Sequence, residues 1–376
     1  SDPHTAEMGT LHEWAATYPL FHWGPIPWGF YLVLSAAFGF MLHVRKRTRQ
    51  KYSEACRPVL GNKVDGIAGK LIDLIAVFAL LAGTATTFSL ATPLLAGAIS
   101  SVTGIPQSTG LTLVILVIVC AIYTFSVYFG MKGVQLSAAT CTWLFFGLLA
   151  YVFFFGGQTR FIIEEGITAL GNMTQNFIGL ATWTDSLRTS SFPQTWTIFY
   201  WAYWMVWCVA VPFFIGSISK GRTLRQVILG GYVFGLSGTF TSFIIMGNYG
   251  LGLQMHGKLD VLSSYAADGN LYHAILDILG QLPLSKAVLV LLVLCMITFY
   301  STSFDSITMV ASTYTYKKLQ SDEEPHRNVK LFWAIFLILL PLALIFSENS
   351  MSNLQTVSII AAFPVGIIML LIISSF

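Results

Sequence analysis

The sequence predicts an all-α polytopic membrane protein, and three observations carry that prediction. First, 55% of the 376 residues are hydrophobic and only 10% are charged, with a mean hydropathy of +0.71. A soluble domain of this size has no interior large enough to hide so much apolar surface. Second, the apolar residues gather in runs long enough, at about 1.5 Å per helical residue, to cross a bilayer. Third, the basic residues are lopsided. Of the 20 Lys and Arg, all but Arg160, Arg188, Lys258 and Lys286 fall in alternate loops on one side of the spans. By the positive-inside rule that side is cytoplasmic and residue 1 lies outside.

Nine spans follow in order. The first runs from about Pro25 to Val44, its start fixed by Pro25 and Pro27, and is closed by Arg45, Lys46, Arg47, Arg49 and Lys51. The second begins near Gly66 and ends before the turn Thr103-Gly104-Ile105-Pro106. The third fills Gly110 to Met131, Lys132-Gly133 makes a tight turn, and the fourth continues to about Gly157. From Gln158 to Pro193 the chain carries Arg160, Glu164, Glu165, Asp185 and Arg188, too polar to cross and suited to the interface. The fifth span lies in the uncharged run Thr189–Ser219. A Gly-rich sixth covers about Gln226 to Tyr249, and a mixed peripheral stretch runs from Gly250 to Leu284. The seventh is about Ser285–Thr313, the eighth Leu331–Phe346, and the ninth begins near Asn353. The chain opens on Ser1-Asp2-Pro3 without an initiator methionine and ends in an apolar run, so it reads as part of a longer protein.

The fifth span holds the most unusual stretch, Phe199-Tyr200-Trp201-Ala202-Tyr203-Trp204-Met205-Val206-Trp207. On a helix Trp201, Trp204 and Trp207 recur every third residue and define one slowly drifting face. Membrane tryptophans usually sit at the interface, but three within seven residues inside a long run fit a belt poorly. Clustered indoles with no carboxylate suit a fixed positive charge that donates no hydrogen bond, a quaternary ammonium. The first span has a related set in Trp23, Trp28 and Tyr31, with Trp28 and Tyr31 on one face; read alone, these and His22 are interfacial.

Polar groups inside the spans are few. Asp73 and Asp305 are the only acids in apolar runs, and each is either a functional carboxylate or a helix-end hydrogen bond or ion pair. Thr302 and Ser303, following Phe299, place two hydroxyls together on the seventh span. Gly83-Thr84-Ala85-Thr86-Thr87 offers a similar set on the second. Such hydroxyls either bond back to the i−4 carbonyl or coordinate a hard cation such as Na⁺. Cys56, Cys120, Cys141, Cys208 and Cys295 are scattered and read as small buried hydrophobes. No metalloprotease, nucleophile-elbow or P-loop motif is present, so the chain offers no enzymatic site, and nothing points to nucleic acid.

Phe21-His22-Trp23-Gly24 with Trp28 and Tyr31, then Phe199-Tyr200-Trp201-Ala202-Tyr203-Trp204, Gly216-Ser217-Ile218-Ser219-Lys220-Gly221-Arg222-Thr223 and Thr298-Phe299-Tyr300-Ser301-Thr302-Ser303 closely resemble the betaine/choline/carnitine transporter family. The likeness extends loosely over nearly the whole chain. It implies a LeuT-like core of two inverted five-helix repeats within about twelve helices. Asp2-Pro3 then matches the end of the first core helix, and nine of the twelve helices are present. Residues 1–157 become the remainder of the first repeat, 158–193 an interfacial connecting segment, and 194–376 the second repeat.

The resemblance also implies roles. Trp23, Trp28, Tyr31, Tyr203, Trp204 and Trp207 match the family's substrate cage, with tyrosine at 203 where relatives often carry tryptophan, and Phe214 matches its exit path. Phe299, Thr302 and Ser303 match one sodium site; Thr84, Thr86 and Thr87 match a pseudo-symmetric second. In the family's sodium-independent exchangers an arginine stands where this chain has Cys141, and the Thr-Ser pair is missing. Ser89 to Leu94 and the Gly-Ile-Pro turn look more like those exchangers. The expectation is a multi-pass transporter of the cytoplasmic membrane, a homotrimer, moving a betaine, carnitine or choline by Na⁺ symport, with no cofactor. The alternatives are sodium-independent exchange and, more remotely, a non-transporting sensor.

Overall fold

The computed structural model describes residues 10–128, 131–320, 323–345 and 350–376, and every regular element among them is helical. Asp2 and Pro3 lie outside the described residues. Helix α1 (Leu11–His22) precedes the first predicted span, where the sequence reading placed no helix. The chain then turns at Trp23-Gly24, where a Cβ on residue 24 would strike the Leu20 carbonyl, so only glycine fits. Helix α2 (Pro25–Gly39) starts on a proline, whose missing N–H costs nothing at that position, and widens into the i→i+5 turn Phe40–Val44.

Three long helices come next. Helix α3 (Ile67–Thr103) has 37 residues and ends on Gly104 in the left-handed region at φ 77°, the usual glycine stop. Helix α4 (Thr109–Tyr128) and helix α5 (Met131–Phe155) complete the first half. The turn expected at Lys132-Gly133 is absent: both residues lie in the first turn of α5. The interfacial segment contains helix α6 (Thr159–Gln175), whose Glu165 and Ala169 face inward against α1 while Ile163 and Ile167 stay exposed.

The aromatic span is two helices rather than one. After the wide turn Pro193–Thr197 comes helix α7 (Ile198–Trp207); the chain breaks over Cys208–Ala210 and resumes as helix α8 (Val211–Ile218), bent by 44°. Pro212 supplies the cause, since it has no N–H to bond the Cys208 carbonyl four residues back and its ring crowds that carbonyl. Helix α9 (Leu224–Ser242) runs on through Phe243–Gly247 to Met255, six residues beyond the predicted end. Helix α10 (Leu271–Gly280) lies in the segment read as peripheral. Helices α11 (Ser285–Thr313), α12 (Arg327–Ile345) and α13 (Ser350–Ser375) close the chain.

Seven of the described helices are long and apolar enough to cross a membrane, or eight if α7 and α8 form one broken span; α12, the predicted eighth span, is not among them. Val114, Val117 and Phe125 on α4 and Trp143 and Phe154 on α5 are left exposed. In water such a surface would drive aggregation, whereas acyl chains cover it at no cost. The protein is a polytopic membrane protein.

The main core gathers α2, α3, α7, α11 and α13 around Phe38, Phe88, Phe304 and Leu95. Near the C-terminal ends of both helices, α8 and α2 touch backbone to backbone. A Cβ on Gly216 would lie 2.8 Å from the Gly39 nitrogen, and His43 Nε2 lies 3.0 Å from the carbonyls of Gly216 and Ser217. The loop after α2 is held by charge. Arg57 donates to both Glu54 and Asp65 at 2.7–2.8 Å, and these hydrogen bonds raise its pKa further. Asp73 accepts from the Ser53 N–H at 3.1 Å and lies 3.7 Å from Arg49, which is the helix-end reading of that acid.

Candidate functional site

Trp204 is the centre of the aromatic cluster. It projects from α7 into the angle between α1 and α2, is 5% exposed, and touches three rings at once. Tyr31 lies 4.6 Å away between ring centroids, Trp23 5.3 Å and Trp28 5.8 Å. All approach tilted or edge-on, the geometries that the ring quadrupole favours. The turn at Gly24 makes this possible, because it sets Trp23 on one side of Trp204 and Trp28 with Tyr31 on the other. Trp28 is fixed in turn by α9: its Nε1 donates to Thr239 Oγ1 at 3.2 Å, and a Cβ on Gly235 would come within 2.6 Å of the indole.

The other predicted cage residues divide. Tyr203 lies 6.3 Å from Trp23 and 6.4 Å from Trp207, and its hydroxyl is 2.9 Å from Thr87 Oγ1. Trp207, at the end of α7, packs its indole against Gly83 of α3, where a Cβ would stand 3.4 Å from the ring. Phe214 lies on α8 beyond the break and packs on the main core. Trp201 leaves the expected stripe altogether and joins Phe21 at 5.8 Å, in a smaller cluster under α1 and α6. The indole N–H groups of Trp204 and Trp207 are buried without an acceptor among the described residues.

The threonine-rich stretch of α3 reaches this cluster through one bond. Thr84 and Thr86 hydroxyls turn back to the carbonyls of Leu80 and Ala82, and Thr86 also meets Ser358 of α13 at 3.2 Å. Only Thr87 faces the rings, through Tyr203. On α11, Thr302 donates to the Thr298 carbonyl at 2.8 Å, Ser303 is half-buried beside it, and the Phe299 ring turns outward onto Phe145 at 5.2 Å. Cys141 of α5 faces Thr298 and Thr302. Position 141 is therefore where a longer side chain would reach the Thr302 hydroxyl.

His22 is buried within the protein. Its Nε2 shares a hydrogen bond of 2.9 Å with Thr197 Oγ1, and the ring stacks on Tyr200 at 5.1 Å, so it ties the end of α1 to the entry of α7. It lines a cavity of about 410 Å³ with Trp14, Tyr18, Trp23, Trp196 and Tyr200, which opens beside the Trp23 face of the cluster. Thr197, Thr239 and Ser358 escaped the sequence reading because each is a lone hydroxyl whose partner lies on a distant helix. Chemically the arrangement offers aromatic faces and hydroxyl oxygens. Among the described residues no three His, Cys, Asp or Glu side chains could share a metal ion.

A family model described as betaine/carnitine/choline family transporter matches residues 1–376. A protein named carnitine transporter from Acinetobacter baumannii is 29% identical over 367 residues, covering 97% of this chain and 66% of that protein. The glycine betaine transporter OpuD of Bacillus subtilis is 31% identical over 365 residues, covering 96% and 69%. A probable glycine betaine transporter of Desulfitobacterium hafniense is 29% identical over 375 residues, covering 98% and 74%. The chain thus spans between about two thirds and three quarters of the length of these relatives, which are named as transporters and not as enzymes.

Proposed function

The chain belongs to the betaine/carnitine/choline transporter family, and on that premise we propose that it moves a betaine-type quaternary ammonium compound across the cytoplasmic membrane by alternating access, coupled to Na⁺. The observation that carries this reading is Trp204, ringed by Trp23, Trp28 and Tyr31, with no carboxylate in that set among the described residues. A betaine is a zwitterion. A protein carboxylate that paired with its ammonium would repel its own carboxylate, whereas indole faces attract the cation without that conflict, at about 0.5–2 kcal/mol per desolvated ring.

In the described arrangement the rings touch one another, so the trimethylammonium group enters only when Trp204 parts from α1 and α2. The break at Cys208–Ala210 is the natural hinge for that movement, and Phe214 beyond it borders the inward path. Tyr203 and Trp207 complete the cage from the α3 side. We assign the coupling ions to Thr302 and Ser303, with Phe299 contributing its backbone, and to the Thr84, Thr86 and Thr87 stretch. Cys141 favours symport, because it leaves the Thr302 site free of a fixed positive charge. The finer architecture is part of the same proposal: nine spans of a LeuT-like core divided at 1–157, 158–193 and 194–376, assembled as a homotrimer.

Uptake of labelled glycine betaine, carnitine and choline into proteoliposomes holding the full-length protein tests this. Accumulation of at least one, driven by an inward Na⁺ gradient, is expected. Equal exchange in sodium-free potassium buffer would transfer the reading to an exchanger, and saturable binding without counterflow would make the protein a sensor.

A further inference from the structure

Asp305 is a buried acid that the cage and the Thr302–Ser303 pair leave unused. It sits in α11, eight residues from the C-terminal end of the helix, and is 0% exposed. One carboxylate oxygen, Oδ2, accepts from Ser126 Oγ of α4 at 2.8 Å; the other, Oδ1, is buried without a hydrogen-bond partner among the described residues. Three residues further along the helix, Thr308 is equally buried, and its Oγ1 also has none. A spacing of three places the two side chains as neighbours on one face.

Thr308 differs from most hydroxyl residues of its helix. Thr298, Thr302, Ser306, Ser312 and Thr313 all satisfy their hydroxyls on backbone carbonyls three or four residues back. That local bond is open to any helical threonine, so an unbonded one in a sealed interior is held for another partner. Ser301, one turn before Asp305, is near enough to influence the same carboxyl. The surroundings otherwise exclude water: Phe304 stacks on Phe88 at 4.0 Å and packs on Tyr123 at 5.4 Å.

Charge needs the same partner. A carboxylate this deep costs several kcal/mol unless a cation compensates it. Lys330 of α12 is the cation whose charge reaches Asp305, but its ammonium is engaged by Glu324 at 3.0 Å. Hydroxyl and carboxylate oxygens with no thiol or imidazole among them suit a hard ion.

We propose that Asp305, Thr308, Ser126 and Ser301 form a Na⁺ site one helical turn inward of Thr302 and Ser303. The two sets draw on different neighbouring helices, since Thr302 meets Cys141 of α5 whereas Asp305 bonds Ser126 of α4. This deepens the symport reading by adding a binding step on the inner side of the cage, yet it can fail alone.

The test is binding of radioactive ²²Na⁺ to the purified full-length protein without substrate, for wild type, Asp305→Asn, Thr308→Val, and Thr302→Ala with Ser303→Ala. Asp305→Asn and Thr308→Val are each expected to weaken one class of bound Na⁺ by about tenfold or more. The Thr302/Ser303 variant is expected to spare that class. Thr308→Val keeps volume, so it decides the matter should Asp305→Asn fail to fold. Unchanged affinity and stoichiometry in Thr308→Val overturn the site and leave Asp305 a neutral packing acid. If Na⁺ responds only to Thr302 and Ser303, this inference fails and the symport reading stands; if the wild type binds no Na⁺, both fail.

Discussion

Replacing Trp204 tests the cage most directly, because that ring alone touches Trp23, Trp28 and Tyr31. Trp204→Leu keeps apolar bulk and removes the π face. A desolvated indole holds a quaternary ammonium with about 2 kcal/mol, so Kd for the betaine should rise roughly 30-fold. Trp204→Phe keeps a ring with a weaker quadrupole; half that loss, about 1 kcal/mol, corresponds to roughly fivefold. Trp204→Leu also loses its aromatic pairs, at about 0.5–1.5 kcal/mol each, and Trp204→Phe weakens them, so thermal unfolding must be read beside binding. The decisive measurement is competition by an analogue in which carbon replaces the quaternary nitrogen, giving the same shape without the charge. It should compete far worse than the betaine in wild type, and the gap should narrow from Trp to Phe to Leu. A neutral analogue that competes equally well in wild type would make the cluster a hydrophobic pocket and refute the cage.

Two further outcomes follow from the geometry. The Thr87–Tyr203 bond should behave as one unit: Thr87→Val and Tyr203→Phe should each weaken substrate binding by about two- to tenfold, the worth of one hydrogen bond, and the double variant by no more than either. Additive losses would show that the two groups act separately. Orientation is checked with single cysteines in a cysteine-free background: an impermeant maleimide applied to intact cells should label Ser186→Cys and not Lys63→Cys, both on exposed positions. Labelling at 63 would invert the topology.

Much of the fold was legible because the membrane writes its length into the sequence. Every predicted span falls on helix among the described residues, the fifth on two, since an uninterrupted apolar run in lipid has no other way to satisfy its backbone. The exceptions lie where a local signal was outweighed. The helix Leu11–His22 carries Pro19 and several polar residues, so its pattern resembled a loop. The break after Trp207 did have a signal in Pro212, hidden by the continuous apolar run around it. Within the cluster, the grouping of Trp28 and Tyr31 followed from their spacing, and Trp204 packs on both. A step of three residues turns about 60°, however, so Trp201 and Trp207 stand about 120° apart and face different helices. Which of the tryptophans meets Trp23 is decided by helix packing, which spacing alone does not encode.

The hinge reading rests on what stays fixed as well as on what moves. Helix α8 is pressed on α2 at Gly216 and Gly39, so the inner half of the broken span travels with α2, and the break takes up any motion of α7. Gly216→Ala challenges that arrangement directly. The added methyl would sit 2.8 Å from the Gly39 nitrogen, 2.9 Å from Phe38 Cβ and 3.1 Å from the Ser35 carbonyl oxygen. Two of these neighbours are backbone and cannot swing aside, so the helices must separate, at about 1–3 kcal/mol for an overpacked contact. Gly247→Ala is the control, because a Cβ there meets nothing within 4 Å. In purified full-length protein Gly216→Ala should lower Tm and slow uptake, while Gly247→Ala should leave both near wild type. If Gly216→Ala instead leaves Tm and uptake unchanged, α8 is not clamped to α2, and the break at Cys208–Ala210 loses its claim to be the hinge.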